Sequence, residues 1–209
     1  MSEIRQNELR QIFFDLVSSY ASTEKSQELW DELSLNYNSP DRAYHNFNHI
    51  NHFYDQLMLV RNEISGWKTV LFSLFYHDII YDIRLHDNEE KSADLAAERL
   101  SEIGIAKEVI ENWKSQILAT KNCTVSDDHD INLFTDADLS ILGSDPDSYI
   151  TYSKSIRAEY LIYPDDVYNP ARMKVLKHFL DMDSIYKTVF FREKYESRAR
   201  RNIQSEIES

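Results

Sequence analysis

Apolar side chains recur at every third or fourth position along most of this chain, and this spacing is typical of one face of an α-helix. No stretch shows the alternation of apolar and polar residues that predicts a half-buried β-strand. The periodicity, caps and breaks predict nine or ten helices, at about residues 3–20, 23–37, 42–64, 67–82, 89–103, 106–119, 130–142, 146–163, 170–182 and 192–207. We therefore predict an all-α helical bundle.

The composition supports long helices joined by short connections. Only 3 of the 209 residues are glycine and 4 are proline, whereas average usage would give about 15 and about 10. No linker or low-complexity tract interrupts the pattern, so the sequence predicts one domain over residues 1–209. Its core is expected at about 42–143, with C-terminal helices at 146–207 packed on it.

The glycines also exclude two classes of nucleotide-binding site. Gly66, Gly104 and Gly143 stand far apart, so the chain contains neither a phosphate-binding P-loop nor a dinucleotide-binding fingerprint. Any phosphate chemistry would therefore depend on a metal ion.

The net charge and the length of the apolar runs argue against several classes of binding partner. A formal net charge of −13 argues against non-specific binding to nucleic acid or anionic membranes. The longest apolar run is shorter than the about 20 residues that span a bilayer, and the N-terminus lacks a signal-like apolar stretch. With Cys123 as the single cysteine, these features predict a cytoplasmic protein, and they leave a homo-oligomer open.

The most apolar segment, from Leu71 to Tyr81, is apolar on every side for about three helical turns. This pattern predicts a helix buried in the core, with His77 and Asp78 side by side in its middle. Because a buried carboxylate without a partner costs several kcal/mol, Asp78 is expected to be paired or to bind a cation. We interpret the two residues as ligands of a metal ion.

Three histidines lie on one flank of the predicted third helix. At about 100° per residue, His45, His49 and His52 fall together beside its apolar face, and His49 is nearest to that face. His49 is therefore a third candidate ligand.

Two aspartates of the predicted helix at 130–142 compete for the last ligand position. Asp136 and Asp138 lie about 200° apart on a helix, so both cannot face one site. Asp138 falls within the apolar stripe, whereas Asp136 points away and is predicted to be solvated. Asp138 is then either a core carboxylate satisfied by a protein donor or a ligand of the cation that Asp78 binds.

Together, His49, His77, Asp78 and Asp138 offer two imidazoles and two carboxylates. Such a mixed set suits Mn, Fe, Ni, Co or Zn better than Ca, with Mg as a further candidate. Four protein ligands leave two positions of a six-coordinate ion for water and substrate, as metal-assisted hydrolysis requires.

The order His49, His77-Asp78, Asp138 resembles the H…HD…D signature of the HD superfamily of metal-dependent phosphohydrolases. Residues 44–49, Tyr-His-Asn-Phe-Asn-His, resemble the YHNxxH segment of the cyclic-nucleotide phosphodiesterases, and residues 137–140 resemble their ADLS segment. Further segments resemble a bacterial family of predicted HD phosphohydrolases over nearly the whole chain; they are residues 88–93, 157–160 and 196–202. The resemblance implies a single-domain HD-type bundle built round a metal ion.

The same resemblance implies a hydrolase of a phosphate ester, such as a nucleotide or a related small molecule, acting through metal-activated water. In the phosphodiesterases, the first histidine of the YHNxxH segment acts as general acid toward the leaving oxygen, so the resemblance makes His45 the candidate general acid. Asp78 or Glu89 is the candidate acceptor of the water proton. Arg42 and Arg84 are the candidate residues for holding the phosphate.

Two other functions stay open at the level of the sequence. A di-iron HD-type oxygenase would need further histidine ligands, for which His52 and His86 are the candidates. A non-catalytic metal-binding sensor or interaction module would keep the ion for folding only. The glutamine pocket of the phosphodiesterases is not recognisable, and Tyr81 stands where alarmone hydrolases carry a glutamate, so neither substrate is implied.

Overall fold

The computed structural model describes residues 3–122 and 124–208, with side chains described from residue 5 onward. These residues form ten α-helices and contain no β-strand, which confirms the predicted all-α class. None of these helices is long and apolar enough to cross a membrane. The helices are α1 (Glu3–Val17), α2 (Thr23–Tyr37), α3 (Phe47–Leu59), α4 (Trp67–Tyr76), α5 (Asn88–Glu102), α6 (Lys107–Asn122), α7 (His129–Leu139), α8 (Pro146–Glu159), α9 (Asp165–Asp181) and α10 (Val189–Glu208), with 3₁₀ segments at Arg61–Glu63 and Ser140–Gly143.

The chain divides into two compact units, and the division falls inside α7, between Thr135 and Asp136. The first unit contains α1 to α6 and the start of α7, and the second contains the end of α7 with α8 to α10. The prediction of one domain with its C-terminal helices packed on a central core stays a prediction.

Aromatic side chains fill the core of the first unit. Phe13 of α1 meets Phe75 of α4 edge-on, with ring centroids 5.1 Å apart, and Trp30 of α2 stacks on Phe47 of α3 at 5.3 Å. Each such pair contributes about 0.5–1.5 kcal/mol beyond the burial of apolar area. Every residue of α4 from Val70 to Tyr76 is buried, so the most apolar segment lies inside the core of this unit.

α4 ends at Tyr76, whereas the sequence pattern predicted a helix as far as residue 82. His77 still donates its backbone N–H to the Ser73 carbonyl, but Asp78 lies in a turn. The prediction that His77 and Asp78 lie in the middle of a helix is therefore wrong. The apolar pattern continues because Ile79 is fully buried too, and apolar periodicity cannot distinguish a buried turn from a buried helix.

α3 begins one residue after Asn46, not at residue 42 as predicted. The Asn46 side chain accepts a hydrogen bond from the Asn48 N–H at 2.8 Å and thereby caps the helix. Its amide group donates to the carbonyls of Arg42 and Ala43 at 3.0 and 3.1 Å. These bonds close a turn before α3, so His45 lies outside the helix.

Asp130 caps a helix other than its own. The predicted helix at 130–142 begins at this residue, but α7 begins at His129, so Asp130 lies inside the helix. The Asp130 carboxylate instead accepts hydrogen bonds from the N–H groups of Ser65 at 3.0 Å and Gly66 at 2.6 Å, directly before α4. Because a carboxylate interacts favourably with the N-terminal end of the helix dipole, Asp130 ties the start of α7 to the start of α4.

α9 begins at Asp165, five residues before the predicted start at Pro170, which lies inside the helix. Asp165 and Asp166 occupy the first turn, where their negative charges interact favourably with the helix dipole. These charges favour a helix that begins well before the proline.

Polar side chains from residues 196–202 of α10 hold the second unit together by binding backbone groups of other segments. Glu196 accepts hydrogen bonds from the N–H groups of Ile185 and Tyr186, Arg200 donates to the carbonyls of Leu180 and Met182, and Asn202 donates to those of Leu142 and Ser144. Backbone groups that lack a helical partner are satisfied in this way. The segment therefore has a structural role within the second unit.

Gly143 lies where the backbone of the second 3₁₀ segment approaches α10 closely. A Cβ atom at this position would lie 2.6 Å from the Cβ atom and 2.9 Å from the carbonyl oxygen of Tyr195. Among the described residues, the glycine with a positive φ is Gly104. Position 143 therefore needs glycine because of the limited space and not because of its backbone conformation.

We expect Gly143→Ala to lower the free energy of unfolding by about 3 kcal/mol, at the upper end of the cost of overpacking. The backbone of α10 cannot rotate away as a flexible side chain would. Urea denaturation followed by circular dichroism measures the change. The neighbouring substitution Ser144→Ala serves as the control and should stay within about 0.5 kcal/mol; equal stability of the two variants would contradict the packing explanation.

Candidate metal centre

Two buried imidazoles meet in the first unit. His49 lies in the first turn of α3 and His77 follows α4 directly, and only 3% and 1% of their surfaces are exposed. Their Nε2 atoms are 3.0 Å apart. The rings of Phe53 and Phe134 pack against His77, with centroid distances of 5.2 and 6.2 Å. This apolar packing restricts the orientation of the imidazole.

A backbone carbonyl decides which nitrogen of His77 carries the proton. Nδ1 lies 2.9 Å from the carbonyl oxygen of Leu74, so Nδ1–H donates a hydrogen bond to it. The neutral ring then has its lone pair on Nε2, the atom that faces His49. Metal-binding histidines have this arrangement because the outer hydrogen bond fixes the tautomer and makes the ligand more basic.

The Asp78 carboxylate adds a third donor atom. Its Oδ2 lies 3.0 Å from His77 Nε2 and 3.7 Å from His49 Nε2, and 18% of its side chain is exposed. Burial raises the pKa of the Asp78 carboxyl, but positive charge on the imidazoles of His77, His45 and His49, when these are protonated, holds this pKa well below its usual range. Asp78 is therefore ionised when a cation faces it.

The spacing of these three atoms fits a metal ion. Neighbouring ligands of an octahedral ion with bonds of about 2.1 Å lie about 3.0 Å apart. The two Nε2 atoms are 3.0 Å apart, and so are His77 Nε2 and Asp78 Oδ2. Two neutral imidazoles at this distance need a proton or a metal ion between their nitrogens, because otherwise two lone pairs or two N–H groups would face each other. The His49, His77 and Asp78 group could therefore hold a metal ion.

The two aspartates of α7 belong to the second unit, and they differ in burial. Asp138 is partly exposed and lies one helical turn after Phe134. Asp136 is fully buried and accepts hydrogen bonds from the N–H groups of Lys187 and Thr188 and from the Thr188 hydroxyl, at 2.7–2.9 Å. The prediction that Asp136 is solvated is therefore wrong, because the loop before α10 covers that face of α7. The choice of Asp138 as a metal ligand stays a prediction.

Ring contacts hold His45 near His49 although His45 lies outside α3. The centroids of these two imidazoles are 5.8 Å apart. The His45 ring stacks on Tyr81 at 4.2 Å and meets Tyr44 edge-on at 5.0 Å. The role of His45 as a general acid stays a prediction.

The guanidinium of Arg42 binds the backbone around this group. Nη1 donates to the carbonyl of Asp78 at 2.6 Å and to that of His45 at 3.3 Å, and Nη2 donates to the carbonyl of Ile79 at 2.8 Å. Only 7% of Arg42 is exposed. Its predicted role in holding phosphate stays a prediction, although its donors already have partners within the chain.

The remaining predicted site residues lie at or near the surface. Arg84 forms a bidentate ion pair with Asp82 at 2.8 and 2.6 Å and keeps 70% of its side chain exposed. Glu89 lies in the first turn of α5, 3.8 Å from the ammonium of Lys121. His86 is exposed in the loop before α5. The roles of Arg84, Glu89 and His86 stay predictions.

Two residues that support the site were not identified from the sequence. Tyr81 stacks on His45, and the hydroxyl of Ser92 binds both the N–H and the carbonyl of Ile80, at 3.1 and 3.2 Å. Neither contact leaves a sequence signal, because each joins segments separated along the chain. By contrast, an asparagine before an apolar helix is a known capping signal, so Asn46 could have located the start of α3.

Comparisons with protein-family models, with curated proteins and with solved structures find no match to this chain. Its function must therefore be inferred from its own residues and contacts.

Proposed function

We propose that this protein is a metal-dependent phosphohydrolase that cleaves a phosphate ester, with a nucleotide or a related small molecule as its class of substrate. The observation that carries the proposal is the group of His49 Nε2, His77 Nε2 and Asp78 Oδ2, whose separations are 3.0, 3.0 and 3.7 Å. These residues are also the H…HD part of the signature that the sequence resembles. Donor geometry and sequence order thus support the same ion.

Asp138 is proposed as the fourth ligand. Phe134, one turn earlier in α7, packs on Phe53 and His77, and residues four apart share one face of a helix. In the signature that the sequence resembles, this aspartate follows the adjacent His-Asp pair along the chain. With His49, His77 and Asp78, Asp138 would complete the mixed nitrogen and oxygen set that suits Mn, Fe, Ni, Co, Zn or Mg.

A divalent ion in this set would supply a Lewis acid and a water of lowered pKa. The chain itself contributes proton transfer and orientation. Asp78, which reaches solvent, can accept the proton of the attacking water, with Glu89 as the second candidate. His45, in its protonated form, can donate a proton to the leaving oxygen. Arg84 could contact a phosphate group only in exchange for part of its ion pair with Asp82.

The test begins with elemental analysis of protein purified without added metal, which should contain a stoichiometric divalent ion. The loaded protein should release phosphate or a phosphomonoester from nucleotides or from bis(p-nitrophenyl) phosphate, and removal of the ion by a chelator should stop this release. His77→Ala should lose the ion and the activity. His129→Ala, which replaces an exposed histidine beside Glu63, should retain both.

Other outcomes of this test would contradict the hydrolase or favour a different function. A metal-loaded protein that releases nothing from any phosphate compound contradicts the hydrolase. About two irons per chain together with oxygen consumption would favour the di-iron oxygenase. An ion that only raises the thermal stability would favour the sensor or interaction module.

A further inference from the structure

We propose that Arg42 is a positioning residue, whose guanidinium fixes the turn that carries Asp78 and the segment that carries His45 relative to each other. The inference rests on the proposed metal site and adds a residue to it. Arg42 itself is not assigned contact with substrate or metal.

The turn after α4 depends on Arg42 for hydrogen bonds. α4 ends at Tyr76, so the carbonyls that follow have no helical partner. Nη1 and Nη2 of Arg42 donate to the carbonyls of Asp78 and Ile79 at 2.6 and 2.8 Å, as the two prongs of one planar group. Arginine can hold two adjacent acceptors in this way because its donors form a rigid fork.

The same guanidinium reaches the segment before α3. Nη1 also donates to the carbonyl of His45 at 3.3 Å, and the Tyr81 ring lies 4.2 Å from the His45 ring. Arg42 therefore links the segment of the proposed acid to the backbone of a proposed ligand, although these segments are more than thirty residues apart in the chain. A shift of either segment would lengthen one of its hydrogen bonds to the Arg42 guanidinium.

Charge and burial explain why an arginine occupies this position. Asp78 lies at the C-terminal end of α4, where the helix dipole places partial negative charge, and a buried cation that binds the Asp78 carbonyl offsets that charge. The guanidinium lies over the rings of Tyr37 and Tyr81, with Cζ 5.1 and 5.5 Å from their centroids. A lysine would keep the charge but would lose the planar stacking and the paired donors.

The experiment titrates Co²⁺ into the metal-free protein, because the visible spectrum of this ion reports both its affinity and its coordination. Arg42→Lys should stay folded by circular dichroism and weaken Co²⁺ binding by about 10- to 100-fold, the usual effect of losing a residue that orients a ligand. Its Co²⁺ spectrum should differ from that of the wild type. The control is Arg61→Lys, which replaces an arginine that stacks on Trp67 and donates to the Ile64 carbonyl away from the site, and it should bind Co²⁺ as the wild type does.

A second variant covers the case in which Arg42→Lys does not fold. Tyr81→Leu keeps an apolar contact with Arg42 but removes the stacked ring, and it should weaken Co²⁺ binding by about two- to fivefold. Wild-type affinity and spectrum in folded Arg42→Lys, or in Tyr81→Leu if Arg42→Lys is unfolded, would overturn the positioning role. Wild-type protein that binds no Co²⁺ overturns this inference and the metal site together. Co²⁺ binding without hydrolysis overturns only the hydrolase.

Discussion

Asp78→Ala is expected to lose metal binding and turnover while the fold is retained. Asp78 supplies one of three donor atoms that lie within 3.7 Å of one another, and the loss of a residue that merely orients a ligand already costs about 10- to 100-fold. The affinity for Co²⁺ should therefore fall by at least about 100-fold. Phosphoester hydrolysis should fall with it, since the proposed reaction needs the ion. Titration of the metal-free variant and a turnover assay measure the two effects.

Asp82→Ala is the matched control for this prediction. Asp82 lies four residues after Asp78 and has the same side chain. Its carboxylate forms an ion pair with the exposed Arg84 and is not one of the three donor atoms of the metal centre. Asp82→Ala should bind Co²⁺ as the wild type does. If Asp78→Ala kept its affinity and Asp82→Ala lost it, the assignment of the metal centre would be wrong.

Asp136→Ala is expected to destabilise the protein strongly, by about 3–5 kcal/mol. The fully buried carboxylate accepts hydrogen bonds from the N–H groups of Lys187 and Thr188 and from the Thr188 hydroxyl. It also lies 3.5 Å from the ammonium of Lys187, whose side chain is only 2% exposed. Removal of the carboxylate would leave a buried cation and buried amide groups without an acceptor. The melting temperature should fall by about 10 °C.

Asp138→Ala, two residues further along α7, separates a structural from a functional carboxylate. Asp138 is partly exposed, so its replacement should cost less than about 1 kcal/mol in the metal-free protein. It should nevertheless weaken Co²⁺ binding, as expected of a ligand. Thermal melts and Co²⁺ titrations of both variants test the assignment, and it would fail if Asp136→Ala melted normally and Asp138→Ala did not fold.

The helical class was predictable because it depends on local properties. Apolar residues at helical spacing, few glycines and recognisable caps such as Ser22, which accepts from the Lys25 N–H, indicate helices before any packing is known. Gly104, the residue after the predicted helix at 89–103, has a φ of 76°, a backbone conformation that favours glycine. Helix ends were less predictable, since α4 stops at Tyr76 although the apolar pattern runs on.

The sequence by itself determined that this chain is helical and that His49, His77 and Asp78 are candidates for one cation, because apolar surroundings make polar side chains conspicuous. Only the tertiary structure decided that the buried carboxylate of Asp136 binds the loop before α10 and that Arg42 joins the backbones of Asp78 and His45. The physical reason is that helix formation follows from neighbours within a few residues. The partner of a buried charge, by contrast, is chosen by segments that meet only when the chain is folded.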